Sequence, residues 1–147
     1  MKITISDWKK YKGAGSTLAV LAFQEETPKL LGLGRESNAL ASQVKADGFK
    51  AKERETFLVR PGGQMPAERI LFIGLGKKLD FSNETLRRTV SQVLHRAEGL
   101  GLTRIALRAP QVARTPRGSE AEIQAITEGL WLASYRFDKH RKLEDPL

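Results

Sequence analysis

Two short runs of the sequence are strongly apolar, and this feature limits the folds open to the chain. They are TLAVLAF, from Thr17 to Phe23, and RILFI, from Arg69 to Ile73. A strand with one wet face alternates apolar and polar residues, whereas a strand covered on both faces is apolar throughout. We therefore predict that TLAVLAF is a central strand covered on both sides and that RILFI is a second strongly apolar strand.

The segments around these runs alternate between strand and helix patterns. Short strands are predicted at Ile3 to Ile5, Thr56 to Val59 and Arg104 to Arg108, and a modest helix at Asn38 to Asp47. The succession of strand, helix, strand and helix in the second half is typical of a βαβ unit in a largely parallel sheet. We expect a mixed, largely parallel sheet with helices on both faces, which is a three-layer α/β/α domain.

A long amphipathic helix is predicted after RILFI. Ser82 or Asn83 can cap its first amides, and Gly99 and Gly101 end it. Its buried stripe is predicted at helical spacing: Leu86, Val90, Val93, Leu94 and Ala97.

The last helix is predicted to begin at a capping box, in which Ser119 and Glu122 satisfy backbone donors reciprocally. One face then carries apolar residues at helical spacing, with Trp131 and Tyr135 beside it. That face is predicted to consist of Ile123, Ile126, Leu130, Ala133 and Phe137.

The glycine-rich end of the second apolar run, Gly74-Leu75-Gly76-Lys77-Lys78, is a candidate for a phosphate-binding loop. A Walker A loop needs a glycine five residues before Gly76, where Leu71 stands, and a hydroxyl residue after Lys77. A dinucleotide fingerprint needs a third glycine at Leu79. Both nucleotide motifs fail on spacing. The glycines are interpreted as a sharp exit from a buried strand, with a weak anion site at Lys77 as the alternative.

The charge of the chain favours contact with polyanions. Its 25 basic and 17 acidic residues leave a formal charge of +8. Arg108, Arg114 and Arg117 flank a segment free of acids, so together with Lys77 they are candidate anion or nucleic-acid contacts. Stacking on single strands is not indicated because no aromatic residue is interleaved with these arginines, which leaves backbone contact to duplex phosphates.

No membrane or export signal is visible. The start, MKITISDWKK, lacks the apolar segment of a signal peptide, and no apolar run approaches the roughly 20 residues that cross a bilayer. We expect a soluble cytoplasmic chain without membrane contact.

No catalytic or metal-binding constellation is predicted from the residues. Cysteine is absent, and the two histidines, His95 and His140, have no acidic or histidine partner at metal-ligand spacing. The five aspartates are scattered, and no nucleophile-elbow motif is present. This chain by itself is therefore not expected to be an enzyme.

Two segments together resemble a known family. ERILFIGLGKK followed by LRRTVSQVLHRAEGLG, and then EIQAITEGLWLASYRFDKHRK, resemble the N-terminal domain of the leucyl aminopeptidases, the M17 family. In that family a helix of the type EG…YRFDKYK closes the domain before the linker to the catalytic part. The resemblance implies an N-terminal, macro-domain-like domain over residues 1–142, with residues 143–147 beginning a linker.

The resemblance also implies what lies elsewhere. The family carries two divalent metals, zinc or manganese, in a catalytic domain whose motifs are not found in this sequence. No catalytic or metal residue is therefore assigned to this chain. The implied partners are the chain's own C-terminal catalytic domain and the other subunits of a homo-hexamer. The implied role is in hexamer assembly and active-site access of a cytosolic peptidase.

A docking surface for the following domain is predicted at Tyr135, Arg136, Phe137 and Asp138, where large side chains end an apolar helix. Simple packing of these side chains is the alternative.

Two other functions are kept open. The first is a basic module that binds nucleic acid, since some family members also bind DNA. The second is an ADP-ribose-binding macro-like module, for which Gly13-Ala14-Gly15 is the only other candidate loop.

Overall fold

The computed structural model describes residues 17–25, 35–61, 67–108 and 116–144. Within the first and last helices, it describes the side chains of residues 40, 42–46 and 120–135 only. The elements follow one another along the chain as four strands and three helices within these residues. They are β1 (Thr17–Phe23), α1 (Arg35–Ala46), β2 (Thr56–Val59), β3 (Arg69–Gly76), α2 (Asn83–Gly99), β4 (Ile105–Arg108) and α3 (Pro116–Glu144). The strand predicted at Ile3 to Ile5 lies outside the described residues.

The sheet has the order β2-β3-β1-β4. Strand β1 is central and pairs in parallel with β3 on one side and β4 on the other, whereas β2 runs antiparallel to β3. The unit from β3 through α2 to β4 is the predicted βαβ crossover, and β1 lies between its two strands. The mixed, largely parallel sheet is confirmed.

Both faces of strand β1 are covered by other parts of the protein. Successive side chains of a strand point to opposite faces, so its six buried apolar residues divide between two cores. On one face, Leu18, Val20 and Ala22 lie in a cluster with Leu40 and Val44 of α1. On the other, the alternate residues join a cluster that includes α2 and α3: Ala19, Leu21, Phe23, Leu86, Val90, Val93, Ala125 and Ile126. The three-layer arrangement is therefore confirmed.

Helix α2 begins and ends as the sequence indicated. The Ser82 hydroxyl accepts a hydrogen bond from the amide of Thr85 at 3.2 Å. At the other end, Gly101 has a φ of +70°, which a residue without Cβ adopts at little cost. The amides of Gly101 and Leu102 donate to the carbonyls of Glu98 and Ala97, and these two bonds form a Schellman motif.

Helix α3 differs from its prediction at its start and along its buried face. It begins at Pro116, so Ser119 lies inside the first turns and the predicted capping box is wrong. Proline is favoured at a first helical position because its missing N–H would have no partner there. Ile123, predicted to be buried, is 36% exposed, because α3 turns Glu122, Ala125, Gly129 and Ala133 inward.

Candidate functional site

The glycines of the Gly74-Leu75-Gly76 segment lie within strand β3 and bring another segment into close contact. Strand β3 continues to Gly76, further than the predicted end at Ile73. A Cβ on Gly74 would overlap the carbonyl oxygen of Lys52, from the segment that precedes β2. Gly76 has a φ of +79° and lies against the backbone of Glu53. Gly74 therefore serves a close backbone approach, a role that the strand-exit interpretation did not include.

The backbone amides of this segment already have acceptors within the protein. Gly74 N donates to the carbonyl of Glu55 at 2.8 Å, and Gly76 N donates to the carbonyl of Ala51 at 3.0 Å. The amide of Lys78 faces the carboxylate of Glu25, at 3.3 and 3.4 Å from its two oxygens. A phosphate cradle needs free amides that point at the ligand. These three donors are used by carbonyls and by a carboxylate of the chain itself.

Residues 50–55 form the segment that lies against Gly74 and Gly76, and the carboxylate of Glu55 holds this segment in shape. The two oxygens of Glu55 accept the amides of Lys50 at 2.9 Å and Lys52 at 3.2 Å. Ala51 and Arg54 adopt left-handed conformations with φ of 56° and 71°, which are uncommon for residues with a Cβ. This segment, which we call the β3 clasp (residues 50–55), was not anticipated from the sequence.

The predicted cationic residues do not form one patch where the structure describes them. Lys77 is exposed after β3, and Arg108 is the last residue of β4. Arg108 pairs with Val20, and Val20 pairs with Phe72, so Lys77 lies five residues further along the sheet, or roughly 16 Å. Partial burial lowers the pKa of the Arg108 guanidinium. Arg114 lies outside the described residues, and Arg117 lies in α3 without a described side chain.

Helices α2 and α3 contact each other at a glycine. A Cβ on Gly129 would lie 2.5 Å from Val90 Cγ2 and 2.8 Å from the Arg87 carbonyl oxygen. Beside this point, Arg87 Nε donates to Glu128 Oε2 at 2.9 Å, and Gln124 Nε2 donates to Glu128 Oε1 at 2.8 Å. The Glu-Gly pair of the sequence motif EGLWLASYRFDKHRK is thus the point at which α3 docks on α2.

Hydrogen bonds from Gln124, and then from Arg87, lower the pKa of the Glu128 carboxyl below its ordinary value of 4.5. A depressed pKa means that the folded state favours the carboxylate. Its stabilising contribution is therefore present above pH 4.5 and is lost as the pH falls through the lower folded-state pKa.

We expect Glu128→Gln to lower the melting temperature at pH 7, since it removes the carboxylate that Arg87 binds. The difference from the wild type should shrink as the pH falls from 7 towards 3, because the wild type then loses its carboxylate too. Thermal denaturation followed by circular dichroism across this range measures it. Glu68→Gln, at an exposed position, is the matched control with little expected change. A difference independent of pH would contradict the assignment.

One face of α3 carries large apolar side chains exposed to solvent. Trp131, Leu132 and Tyr135 are 51%, 56% and 67% exposed. Tyr135 belongs to the predicted docking cluster, and the side chains of its other members, Arg136, Phe137 and Asp138, lie outside the described set. Leu132 was missed by the sequence analysis, because it falls outside the helical stripe of the other apolar residues. We call Trp131, Leu132 and Tyr135 the α3 aromatic face.

Within the described ranges, no three His, Asp or Glu side chains come together in a way that could hold a metal ion. His95 is exposed on α2, as the sequence indicated, and His140 lies in α3 without a described side chain. No described helix combines the length and apolarity that a membrane span requires.

Comparison with known proteins identifies relatives of this chain. The family model described as "Cytosol aminopeptidase family, N-terminal domain" matches residues 19–143. A probable cytosol aminopeptidase of Alkaliphilus oremlandii is 34% identical over 108 residues, which cover 69% of this chain and 20% of that protein. A probable cytosol aminopeptidase of Aquifex aeolicus is 33% identical over 143 residues, covering 95% of this chain and 27% of that protein. The chain thus spans about a fifth to a quarter of the length of these relatives.

Solved structures share the fold. A mutant of tomato leucine aminopeptidase superposes with a TM-score of 0.68 at 19% identity, covering 89% of this chain and 27% of that one. The macrodomain of Mycobacterium tuberculosis DarG superposes with a TM-score of 0.58 at 10% identity and 88% coverage of both chains. The macro-domain-like architecture that was expected from the resemblance is therefore confirmed.

Proposed function

Because this chain belongs to the cytosol aminopeptidase family and matches its N-terminal domain, we propose that it is the non-catalytic N-terminal domain of a larger aminopeptidase. The observation that carries the proposal is the match over residues 19–143 together with the small share of each relative that the chain covers. The larger protein would remove N-terminal residues from peptides in the cytoplasm. Its two divalent metals, zinc or manganese, would be held by residues of the catalytic part and would supply an activated water for hydrolysis of the peptide bond.

Peptidase activity tests this proposal directly. The 147-residue chain and a longer protein that carries it ahead of the catalytic part are assayed side by side on a leucine amide substrate with added manganese. Activity in the longer protein alone is the expected result. Activity in the 147-residue chain would overturn the proposal, because it would require a metal site among its own aspartates and histidines.

We further propose that the α3 aromatic face docks on the catalytic part and that this domain contributes to hexamer assembly and active-site access. Two aromatic side chains and a leucine, each more than half exposed, lie on one side of α3. The family match ends within this helix, at residue 143. Large aromatic side chains are enriched in the buried centres of interfaces. Arg136, Phe137 and Asp138 follow Tyr135 in the sequence and belong to the same proposed docking surface.

Hydroxyl-radical footprinting read by mass spectrometry measures this docking. Oxidation of Trp131 and Tyr135 should be about fivefold lower in the longer protein than in the 147-residue chain, since the centre of an interface excludes water. Leu79, which is 92% exposed and is not part of the α3 aromatic face, is the internal control with equal oxidation in both. Equal oxidation of Trp131 in the two proteins would contradict the docking proposal without affecting the assignment of the domain.

A further inference from the structure

We propose that the outer edge of β4 receives a further parallel strand, formed by the chain that follows α3 in the longer protein. The sheet order β2-β3-β1-β4 means that β4 pairs with β1 alone among the described strands. Alternate residues of a strand direct their N–H and C=O groups to opposite sides, so half of those of β4 point away from β1. Such an edge is a template for one more strand. The inference rests on the proposed function, in which the chain is part of a larger protein.

The position of α3 indicates on which side that strand would add. Helices α2 and α3 cover the same face of the sheet, since both contribute to the cluster that contains Ala19 and Leu21 of β1. A crossover between parallel strands is almost always right-handed. The crossover through α2 moves from β3 past β1 to β4. A right-handed crossover through α3 on the same face moves in the same direction, which places the next parallel strand beyond β4.

Two apolar side chains of α3 are directed towards this side. Ile123 and Leu130 are seven residues apart, or about two helical turns, and therefore lie on one side of the helix. Helix α3 contacts α2 through Glu128 and Gly129. At roughly 100° per residue, Ile123 and Leu130 lie about 100–160° around the helix from these two contacts. They therefore point away from α2 and towards the outer edge of the sheet.

The burial of these side chains and of β4 is incomplete. Ile123 is 36% exposed, and Leu130 is only partly buried. All four residues of β4 are also partly buried, whereas all seven residues of β1 are buried. Ile105 and Leu107 pack at the margin of the same cluster as Leu130. A strand beside β4 would cover this margin with every second side chain, so we expect it to be apolar on the face towards α3.

The proposal has a consequence for the extent of the domain. Helix α3 ends at Glu144. Connections between a helix and a strand usually have about 2–6 residues and strands about 5–6, so roughly 15 residues after residue 147 would suffice for the new strand. The boundary that the family resemblance implied at residue 142 would then lie inside the domain. Residues 143–147 would connect α3 to the strand and would not begin a linker between domains.

Amide hydrogen exchange, followed by NMR, tests the proposal on the 147-residue chain and on the same chain extended by about 15 residues of the longer protein. The outward amides among Ile105, Ala106 and Leu107 should exchange about tenfold more slowly or slower still in the extended chain, because a new ladder bond protects them. The outer amides of β2, at the opposite edge of the described sheet, are the internal control with equal exchange in both chains. Equal exchange at β4 in the two chains would overturn the proposal. Slow exchange of all β4 amides in the 147-residue chain would also overturn it, because the edge would then be covered by another segment or by a second copy.

Two substitutions on α3 make the test specific, each compared between the two chain lengths. Ile123→Asp introduces a charge on the side that the strand would cover, and it should remove most of the added protection at β4. Leu132→Asp introduces the same charge on the α3 aromatic face, where the leucine is 56% exposed, and it should leave the added protection unchanged. Equal loss of protection in both variants would contradict the position proposed for the strand.

The result of this experiment is separate from that of the peptidase assay. A strand that does not add to β4 would leave the activity of the longer protein, and with it the proposed function, unaffected. Conversely, a longer protein without peptidase activity would contradict the proposed function but not slower exchange at β4 in the extended chain.

Discussion

Replacing Gly74 with alanine is expected to destabilise the chain by about 3 kcal/mol, at the upper end of the overpacking range. The added Cβ would overlap the Lys52 carbonyl oxygen and would lie 2.5 and 2.6 Å from the carbonyl carbon and oxygen of Ala51. These are backbone atoms of the β3 clasp, which cannot rotate away as a side chain can. The clasp would have to move away from β3.

The displacement would also break hydrogen bonds. The Gly74 amide bonds to Glu55 and its carbonyl to Arg54, at 2.8 and 3.2 Å. Chemical denaturation of the wild type and the variant measures the loss, which corresponds to a fall in melting temperature of about 10 °C for a domain of this size.

Gly99→Ala is the matched control for this substitution, since nothing lies within 4 Å of the added Cβ and the residue is the last of α2. Its free energy of unfolding should stay within about 0.5 kcal/mol of the wild type, as for most surface changes. A Gly74→Ala variant as stable as Gly99→Ala would show that the clasp does not lie against β3 as described.

Replacing Gly129 with alanine is expected to cost about 2 kcal/mol, although alanine is the better helix former by about 1 kcal/mol. The new Cβ would lie 2.5 Å from Val90 Cγ2 and 2.8 Å from the Arg87 carbonyl oxygen. Helices α2 and α3 would separate, and the bond between Arg87 and Glu128 would lengthen. The free energy of unfolding by urea, followed by circular dichroism, measures the effect.

A double-mutant cycle with Val90→Ala separates the contact from general destabilisation. Val90 is fully buried, so Val90→Ala alone should be destabilising. Combined with Gly129→Ala it should cost less than the sum of the two, because removing Cγ2 relieves part of the overlap. Strict additivity of the two substitutions would contradict the close contact between the helices.

The sequence indicated the architecture well because it depends on local periodicity. The apolar run from Thr17 to Phe23 predicted a strand covered on both faces, and the burial of all seven residues of β1 and the two clusters on its opposite sides confirm this. The Ser82 cap and the Gly101 end of α2 were likewise readable, since capping involves residues only a few positions apart. The start of α3 was mispredicted because a capping-box pattern at Ser119 competes with proline at a first helical position, and Pro116 begins the helix.

The candidate sites could be predicted only in part. A glycine in the middle of α3 is a signal for a close approach, but the sequence does not say that α2 is the neighbour. The Arg87–Glu128 pair joins residues 41 positions apart, and the Gln92–Arg54 bond joins residues 38 positions apart. Such pairs depend on how the layers come together, which hydrophobic periodicity does not encode.

The sequence by itself therefore determined the α/β class, the central strand, and the motif pair that places the chain in its family. The tertiary structure decided what the glycines and charges do. Gly74 and Gly129 permit close backbone contacts, and the amides of the Gly-Leu-Gly segment are used by the clasp. Lys77 and Arg108 are separated by the register of three parallel strands. The physical reason is that local propensity acts within a few residues, whereas steric contact and charge pairing act between segments that only the folded chain brings together.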